Sequence, residues 1–441
     1  MSYAPYPTYK ESGVPWLGQV PEAWEVKPVK YISTFNDEAL PETTDPESML
    51  NYVDISSVSL VEGIQKIEQV EFEKAPSRAR RVVREGDTIV STVRTYLKSI
   101  ATVRNPVDNM IVSTGFAVIR PDPTMNPDFL GYFIQSEGFV GEVVSKSTGV
   151  SYPAINPGDL VAISGVRPPI EEQTAIARFL DEKTAEIDDL IAKKEELLRL
   201  LAEQRTALIT HAVTKGLNPS APMRPSGIDW LGDVPEGWEI TSIKRIASIF
   251  GRIGFKGYTT ADIVDEGDGA LSLSPSNIFE GKMRYEKRTY VSWEKYFESP
   301  EIMVKPGDIV FVKTGSTIGK TALFEDIETE TTVNPQLVIL KELTVSGLFL
   351  SFAMNSAYFR HQVDGYRFGG STPAMTQESL GRILVVAPKE RAEQEKIAAN
   401  VSIRMKDFDK TQQKIKAVIE ALVEYRIALI TNAVTGKIKV A

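Results

Sequence analysis

The chain is written twice. Trp16, Leu17, Gly18, Val20, Pro21, Glu22 and Trp24, in the stretch VPWLGQVPEAWEV, return 214 residues later as Trp230, Leu231, Gly232, Val234, Pro235, Glu236 and Trp238. EQTAIARFLDEK from Glu172 is echoed by EQEKIAANVSIR from Glu393, and RTALITHAVTKG from Arg205 by RIALITNAVTGK from Arg426, both at an offset of 221. A shorter echo joins REGDTIV from Arg84 to KPGDIVF from Lys305. A constant offset over the last two pairs means that no gap enters between them. A repeat of this length makes each copy a folding unit in its own right, and 441 residues exceed what one hydrophobic core normally serves.

Each copy has two parts. Residues 1–170 and 216–390 read as two mixed α/β globular domains, in an overall α+β chain. Short β-rich runs bounded by turn residues lie at 87–93, 99–103, 110–119 and 160–166, and 127–144 reads as a helix. The second copy offers strands at 308–314 and 336–341 and a helical run at 348–363 in the same order.

The second part of each copy, 171–215 and 391–441, reads as a long helix with no proline. A 4-3 apolar spacing runs through Ile176, Leu180, Ile187, Leu190, Leu197, Leu201 and Leu208, and through Ile397, Val401, Phe408, Ile415, Val418, Leu422 and Leu429. Such a spacing over five heptads predicts a coiled-coil seam on helices roughly 60 Å long. The first helix carries a net negative charge and the second a net positive one, which favours pairing the two with each other. Lysines within the seam of the first helix keep open the alternative that each helix lies on its own domain.

The composition excludes several chemistries. There is no cysteine, hence no disulfide, thiolate metal site or cysteine nucleophile. Two histidines, His211 and His361, do not suffice for a multi-histidine metal site. His211 aligns with Asn432 in the repeat and reads as a helix-end residue. The N-terminus lacks a signal-peptide pattern and no apolar run reaches the ~20 residues of a membrane span, so a cytoplasmic protein is expected. No methyltransferase tetrapeptide, helicase box, metalloprotease or nuclease cluster is present, so neither a catalytic residue nor a metal ligand is assigned.

One stretch mimics a nucleotide site. VKTGSTIGKTAL, Val312 to Leu323, places Gly315, Gly319, Lys320 and Thr321 much as a phosphate loop would. The loop requires four residues between its glycine and the Gly-Lys pair, and only three separate Gly315 from Gly319. The run continues as a β-like segment where a helix should begin. Its repeat partner, STVRTYLKSIATV (91–103), has no glycine. What the two share is a basic strand-turn-strand.

Basic residues gather around these turns: Arg78, Arg80, Arg81, Arg84, Arg94, Lys98 and Arg104 in the first copy, and Lys282, Arg284, Lys287, Arg288, Lys295, Lys313 and Lys320 in the second. Tyr96, Tyr285 and Tyr290 sit among them. Cations for phosphates, interleaved with hydrogen-bonding aromatics for base edges, suit a DNA surface. A charged, solvated sheet edge is the plainer alternative. The net charge of −9 opposes DNA binding only weakly, because local patches decide it.

A tandem repeat whose copies open on WLG-VPE-WE and close on EQ---IA and R-ALIT-AVT resembles the DNA-specificity subunit of a type I restriction-modification enzyme, over nearly the whole chain. The resemblance implies two target recognition domains, each reading one half of a split site in double-stranded DNA. It implies that the two long helices pair antiparallel as a spacer on which two methyltransferase subunits dock, with restriction subunits joining them. S-adenosylmethionine, ATP and Mg would then belong to those partners, and none would be bound by this chain. Base-contacting residues do not transfer within such a family. The local candidates for DNA binding are Arg94, Tyr96 and Lys98, with Ser151 and Tyr152 from STGVSYPAI, in the first domain. In the second they are Lys313, Ser316 and Lys320, with Arg367 and Ser371 from RFGGSTPAM. A coiled-coil scaffold without DNA readout is the competing reading.

Overall fold

The computed structural model describes residues 4–252, 257–325 and 327–440. The chain forms two compact units, Met1–Lys194 with Lys416–Ala441, and Glu195–Ile415. The second unit is one contiguous stretch, whereas the first is joined from the two ends of the sequence. Each combines one globular region with a stretch of both long helices, Ile170–Lys215 and Arg391–Val434. Among the described residues no helix is long and apolar enough to cross a membrane.

In the first unit an antiparallel sheet runs in the order Ile100–Thr102, Thr88–Ser91, Phe116–Pro121, Ser33–Phe35. The second unit repeats it as Thr321–Leu323, Ile309–Val312, Leu337–Lys341, Ser248–Gly251. The central strands TIVS and IVFV are buried at every position, which is why they read as continuous runs with little alternation. A second sheet is built on a parallel pair in each unit: Met49–Val53 with Met110–Ser113, and Gly269–Leu273 with Thr331–Val333. The copies diverge at its edges. Ala79–Val82 extends the first sheet beside Met110–Ser113, whereas Ile263–Val264 extends the second at the opposite side, beside Tyr290–Ser292.

Three predicted elements differ. The run 110–119 is two strands in different sheets, separated at Thr114 and Gly115. The stretch 127–144 is two helices, Pro127–Gln135 and Glu137–Ser145, because Ser136 between them is extended. The run 160–166 begins as a short helix, Pro157–Val161, and becomes strand only at Ser164–Arg167. There Asn156 caps the turn through its Oδ1, which accepts from Gly158 N–H at 2.8 Å, and Pro157 presets the first helical position.

The repeated motifs are the joints between domain and helix. Trp24 Nε1 donates to Glu172 at 3.0 Å, and Trp238 Nε1 donates to Glu393 at 3.2 Å. The neighbouring glutamines are buried. Gln173 accepts from Asn126 N–H at 2.7 Å and donates to the carbonyls of Thr124 and Pro168. Gln394 accepts from Ser346 N–H at 2.7 Å and donates to the carbonyl of Pro388. Asn126 and Ser346 are helix N-caps, so each glutamine fastens the start of a long helix to the cap of a domain helix. Replacing Gln173 by Leu strands three inward-facing backbone groups, at about 1–3 kcal/mol for each one left unsatisfied. Denaturant unfolding of the Gln173→Leu variant is therefore expected to show a loss of at least about 2 kcal/mol; a loss under about 0.5 kcal/mol would refute this role.

The far ends of the helices are used in the same way. In the first unit Thr431 Oγ1 accepts from Glu137 N–H at 3.1 Å, and in the second Thr210 Oγ1 accepts from Ala357 N–H at 2.9 Å. Both amides open domain helices, Glu137–Ser145 and Ala357–Tyr366. Ile430, Ala433 and Val434 enter the core around Trp24 and Phe133, while Ile209, Ala212 and Val213 enter the one around Trp238 and Phe359. R-ALIT-AVT is thus the sequence of a helix end embedded in a globular domain.

Within each unit the two helix stretches run antiparallel and carry one ion pair in equivalent places. Arg426 donates to Asp188 at 2.9 Å in the first unit, and Arg205 to Asp409 at 3.2 Å in the second. The seam needs correction. Ile176, Leu180, Ile187, Ile397, Val401, Ile415 and Leu429 are buried, and Leu201, Leu208, Phe408 and Leu422 are half-buried. Leu190, Leu197 and Val418 instead stand 41, 42 and 43 % exposed. Thr184, Ile191 and Leu198 are more buried than the predicted positions one residue before each. Every second seam position therefore lies one residue later than predicted. The apolar pairs Leu190–Ile191 and Leu197–Leu198 satisfy either spacing, and packing chooses between them.

Candidate nucleic-acid interface

In each unit one tight turn and one loop are stitched together. In the first, Thr95–Leu97 is a single 3-10 turn on the tip of the central hairpin. Arg94 N–H donates to Pro153 O at 2.7 Å and Ile155 N–H to Thr92 O at 2.9 Å, while Thr148 and Ala154 exchange backbone hydrogen bonds. The second unit repeats the scheme. Gly315 N–H donates to Pro373 O at 2.8 Å, Met375 N–H to Lys313 O at 2.9 Å, and Phe368 and Ala374 exchange bonds. Serine, any residue, proline and alanine, 151–154 and 371–374, form the strut in both.

The turns share a backbone and differ in what fills it. Both ends of the turn are left-handed: Arg94 and Lys98 at φ 50° and 53°, Gly315 and Gly319 at φ 108° and 87°. Glycine adopts that region freely. A long side chain there costs roughly 1–2 kcal/mol, so the first unit carries strain at two cationic residues that the second avoids with glycine. Gly319 has a further reason, since a Cβ would meet the Arg360 guanidinium at 2.5 Å.

This settles the look-alike phosphate loop. The N–H groups of Lys313, Gly315, Ile318, Gly319 and Lys320 all donate to protein carbonyls, those of Gln336, Pro373, Gly315, Val312 and Thr317. A phosphate cradle needs those donors free and a helix behind them. Here strand Thr321–Leu323 follows.

Half of the clustered basic residues are spent within the protein. Arg84 pairs with Glu38 at 2.5 Å, and Arg104 lies between Asp128 and Asp181 at 2.7 and 2.8 Å. Arg80 stacks on Phe72, and Arg284 on Phe279. Lys282 binds Asp409, Arg288 binds Glu266, and Lys295 binds Glu298. Asp87 of the Gly-Asp echo is buried against Arg120 at 2.8 Å, and Asp308 pairs with Lys341 at 3.4 Å.

Among the described residues no carboxylate lies within ion-pair distance of Arg94, Lys98, Lys313 or Lys320, which all sit on the stitched turns. Arg94 rests over the Tyr152 ring at 4.6 Å. Arg94, Tyr96, Lys98, Ser151 and Tyr152 are exposed on one turn and its strut. Lys313 and Lys320 are half-buried beside exposed Ser316, and burial holds the Lys313 ammonium below the usual lysine range. Arg367 and Ser371 are exposed on the second strut, where Arg367 pairs with Asp364 at 3.3 Å. The sequence sets 91–103 opposite 312–324, which aligns Arg94 with Gly315 and Lys98 with Gly319; what it missed is that Arg94 and Lys98 take positive φ as the glycines do. It also missed Val150 and Phe368, exposed on the two struts; nothing in their composition marks them.

No family model matches the sequence. The chain is 24 % identical over 432 residues to the type I restriction enzyme MjaVIII specificity subunit of Methanocaldococcus jannaschii, covering 96 % of this chain and 94 % of that one. It is 21 % identical over 354 residues to the EcoKI specificity subunit of Escherichia coli, covering 75 % and 70 %. Among solved structures it is similar to a chain from work on assembly and conformational transition of a type I R-M system, with TM-score 0.72, 21 % identity and coverage of 94 % and 98 %. It is also similar to the HsdS subunit of Thermoanaerobacter tengcongensis, with TM-score 0.50, 22 % identity and coverage of 95 % and 98 %. The likeness runs from end to end, and the fold is shared with a solved HsdS subunit: this chain is similar, over nearly its whole length, to type I restriction-modification specificity subunits.

Proposed function

We propose that this chain gives a type I restriction-modification complex its DNA sequence specificity, each unit reading one half of a bipartite site in double-stranded DNA. The observation that carries this reading is the stitched turn, built on the same strut in both units and holding Arg94, Lys98, Lys313 and Lys320, none of which has a carboxylate within ion-pair distance among the described residues. Cations without internal partners supply phosphate contacts, and a rigid strut holds neighbouring side chains at one place against base edges. The chain itself carries out no reaction. Methylation and cleavage belong to methyltransferase and restriction subunits, which bring S-adenosylmethionine, ATP and Mg. Two methyltransferase subunits dock on the long helices, where Leu190 and Val418 in the first unit, and Leu197 and Leu200 in the second, are exposed. The complex works in the cytoplasm, where its DNA is.

DNA binding by the chain in complex with its methyltransferase partner tests the reading. Affinity is expected to fall steeply with salt, and Lys320→Ala to reduce the log–log salt slope by about one. Salt-independent binding would remove direct readout and leave a protein scaffold. Saturable ATP binding by the isolated chain, lost in Lys320→Ala, would reinstate the nucleotide loop.

A further inference from the structure

Resting on the DNA-reading function proposed above, we infer that Arg94 is a specificity-determining residue of the first unit: Arg94, 4.6 Å above the Tyr152 ring centroid, reads a guanine, and Lys98 anchors the adjacent phosphate. The internal repeat supplies the control. The second unit makes the equivalent turn with Gly315 and Gly319 at the corresponding positions, also at positive φ, so glycine suffices to build it there. In the first unit two long side chains hold the left-handed conformation at a cost that glycine would avoid. Strain of this kind persists where the side chain has work to do.

That work is not inside the protein. No carboxylate among the described residues pairs with either group, and the ring under Arg94 belongs to Tyr152, itself 64 % exposed. A guanidinium held over an aromatic ring still offers the two parallel N–H donors of its planar fork. Two such donors match O6 and N7 of guanine in the major groove. Arg94 is also tied at the backbone, through its N–H to Pro153 O, so turn and ring cannot separate. Lys98, at the other end of the turn, is a compact charge with rotatable donors, suited to a phosphate but not to a base edge. The second unit has no side chain at either place, so its half-site is read without this contact.

The test uses the chain in complex with its methyltransferase partner, and measures thermal unfolding and the full set of methylated sequences for Arg94→Gly, Arg94→Lys and Lys98→Gly. Arg94→Gly is expected to unfold no lower than the parent. It should lose about ten- to a hundredfold of discrimination at one G·C pair of the first half-site, with the second half-site unchanged. Arg94→Lys, lacking the planar fork, should not restore it. Lys98→Gly should weaken methylation of all sites alike. Unchanged sequence preference in Arg94→Gly, or an equal loss at every site, overturns the assignment, as does a lowered unfolding temperature with specificity intact. The broader reading fails separately: exchanging the whole first recognition region would then leave both half-sites as they were.

Discussion

A complex whose residues 1–170 are replaced by the same region of a relative is expected to methylate a sequence changed in one half and untouched in the other. The physical basis is the closed construction of each unit. The Trp24–Glu172 bond, the Gln173 clasp and the Thr431 cap all lie within the first unit, and their counterparts Trp238–Glu393, Gln394 and Thr210 within the second. A donor carrying the same tryptophan and helix cap can seat on the resident helices without disturbing the other unit. Discrimination between cognate and other sites is about 10³–10⁷ for specific DNA binders, so the old half-site should disappear from the methylation pattern. Sequencing of methylated positions decides it. A change in both halves would show that the two units do not read independently.

Lengthening both long helices is expected to lengthen the unspecified spacer of the DNA site. The structure locates the insertions. Glu196 lies between Asp188 and Arg205 on the first helix, and Ala417 between Asp409 and Arg426 on the second. Four residues added after each leave both ion pairs, and everything packed beyond them, inside their units. Both helices pass from one unit into the other. The added turn therefore lengthens the helical connection by about 6 Å and rotates one unit against the other by about 40°. DNA advances about 3.4 Å and turns about 35° per base pair. The rotation matches one added base pair and the translation lies between one and two. Four residues are also a tolerated break in a heptad seam. The expected product methylates sites whose spacer is longer by one base pair, with both half-sites preserved. Seven added residues keep the seam in phase but give about 10.5 Å, roughly three base pairs, with almost no rotation where three pairs need about 105°, so that variant should bind DNA poorly. An unchanged spacer in the four-residue variant, with methylation retained, would show that the helices do not set the distance.

What could be read without coordinates was what is local or periodic. The repeat is a property of the string, and WLG-VPE-WE, EQ and R-ALIT-AVT stood out because each copy needs the same joints. The long helices were legible because an apolar period near 3.5, unbroken by proline, has few other solutions. Their seam phase was not. At Leu190–Ile191 and Leu197–Leu198 two adjacent apolar residues compete for one inward position, and the choice belongs to the opposing helix and to the domain packed on it. The break of 127–144 at Ser136 depends likewise on Thr431, 294 residues away, whose hydroxyl receives the first amide of the new helix. The basic clusters had the right composition for DNA. Which of their members are spent on Glu38, Asp128, Asp181 or Asp409 is decided by residues distant in sequence. Left-handed backbone at Gly315 and Gly319 could be suspected from glycine itself. At Arg94 and Lys98 no residue preference announces it, because the conformation is imposed there by a strut that reaches the turn from 60 residues further along, through Pro153 and Ile155.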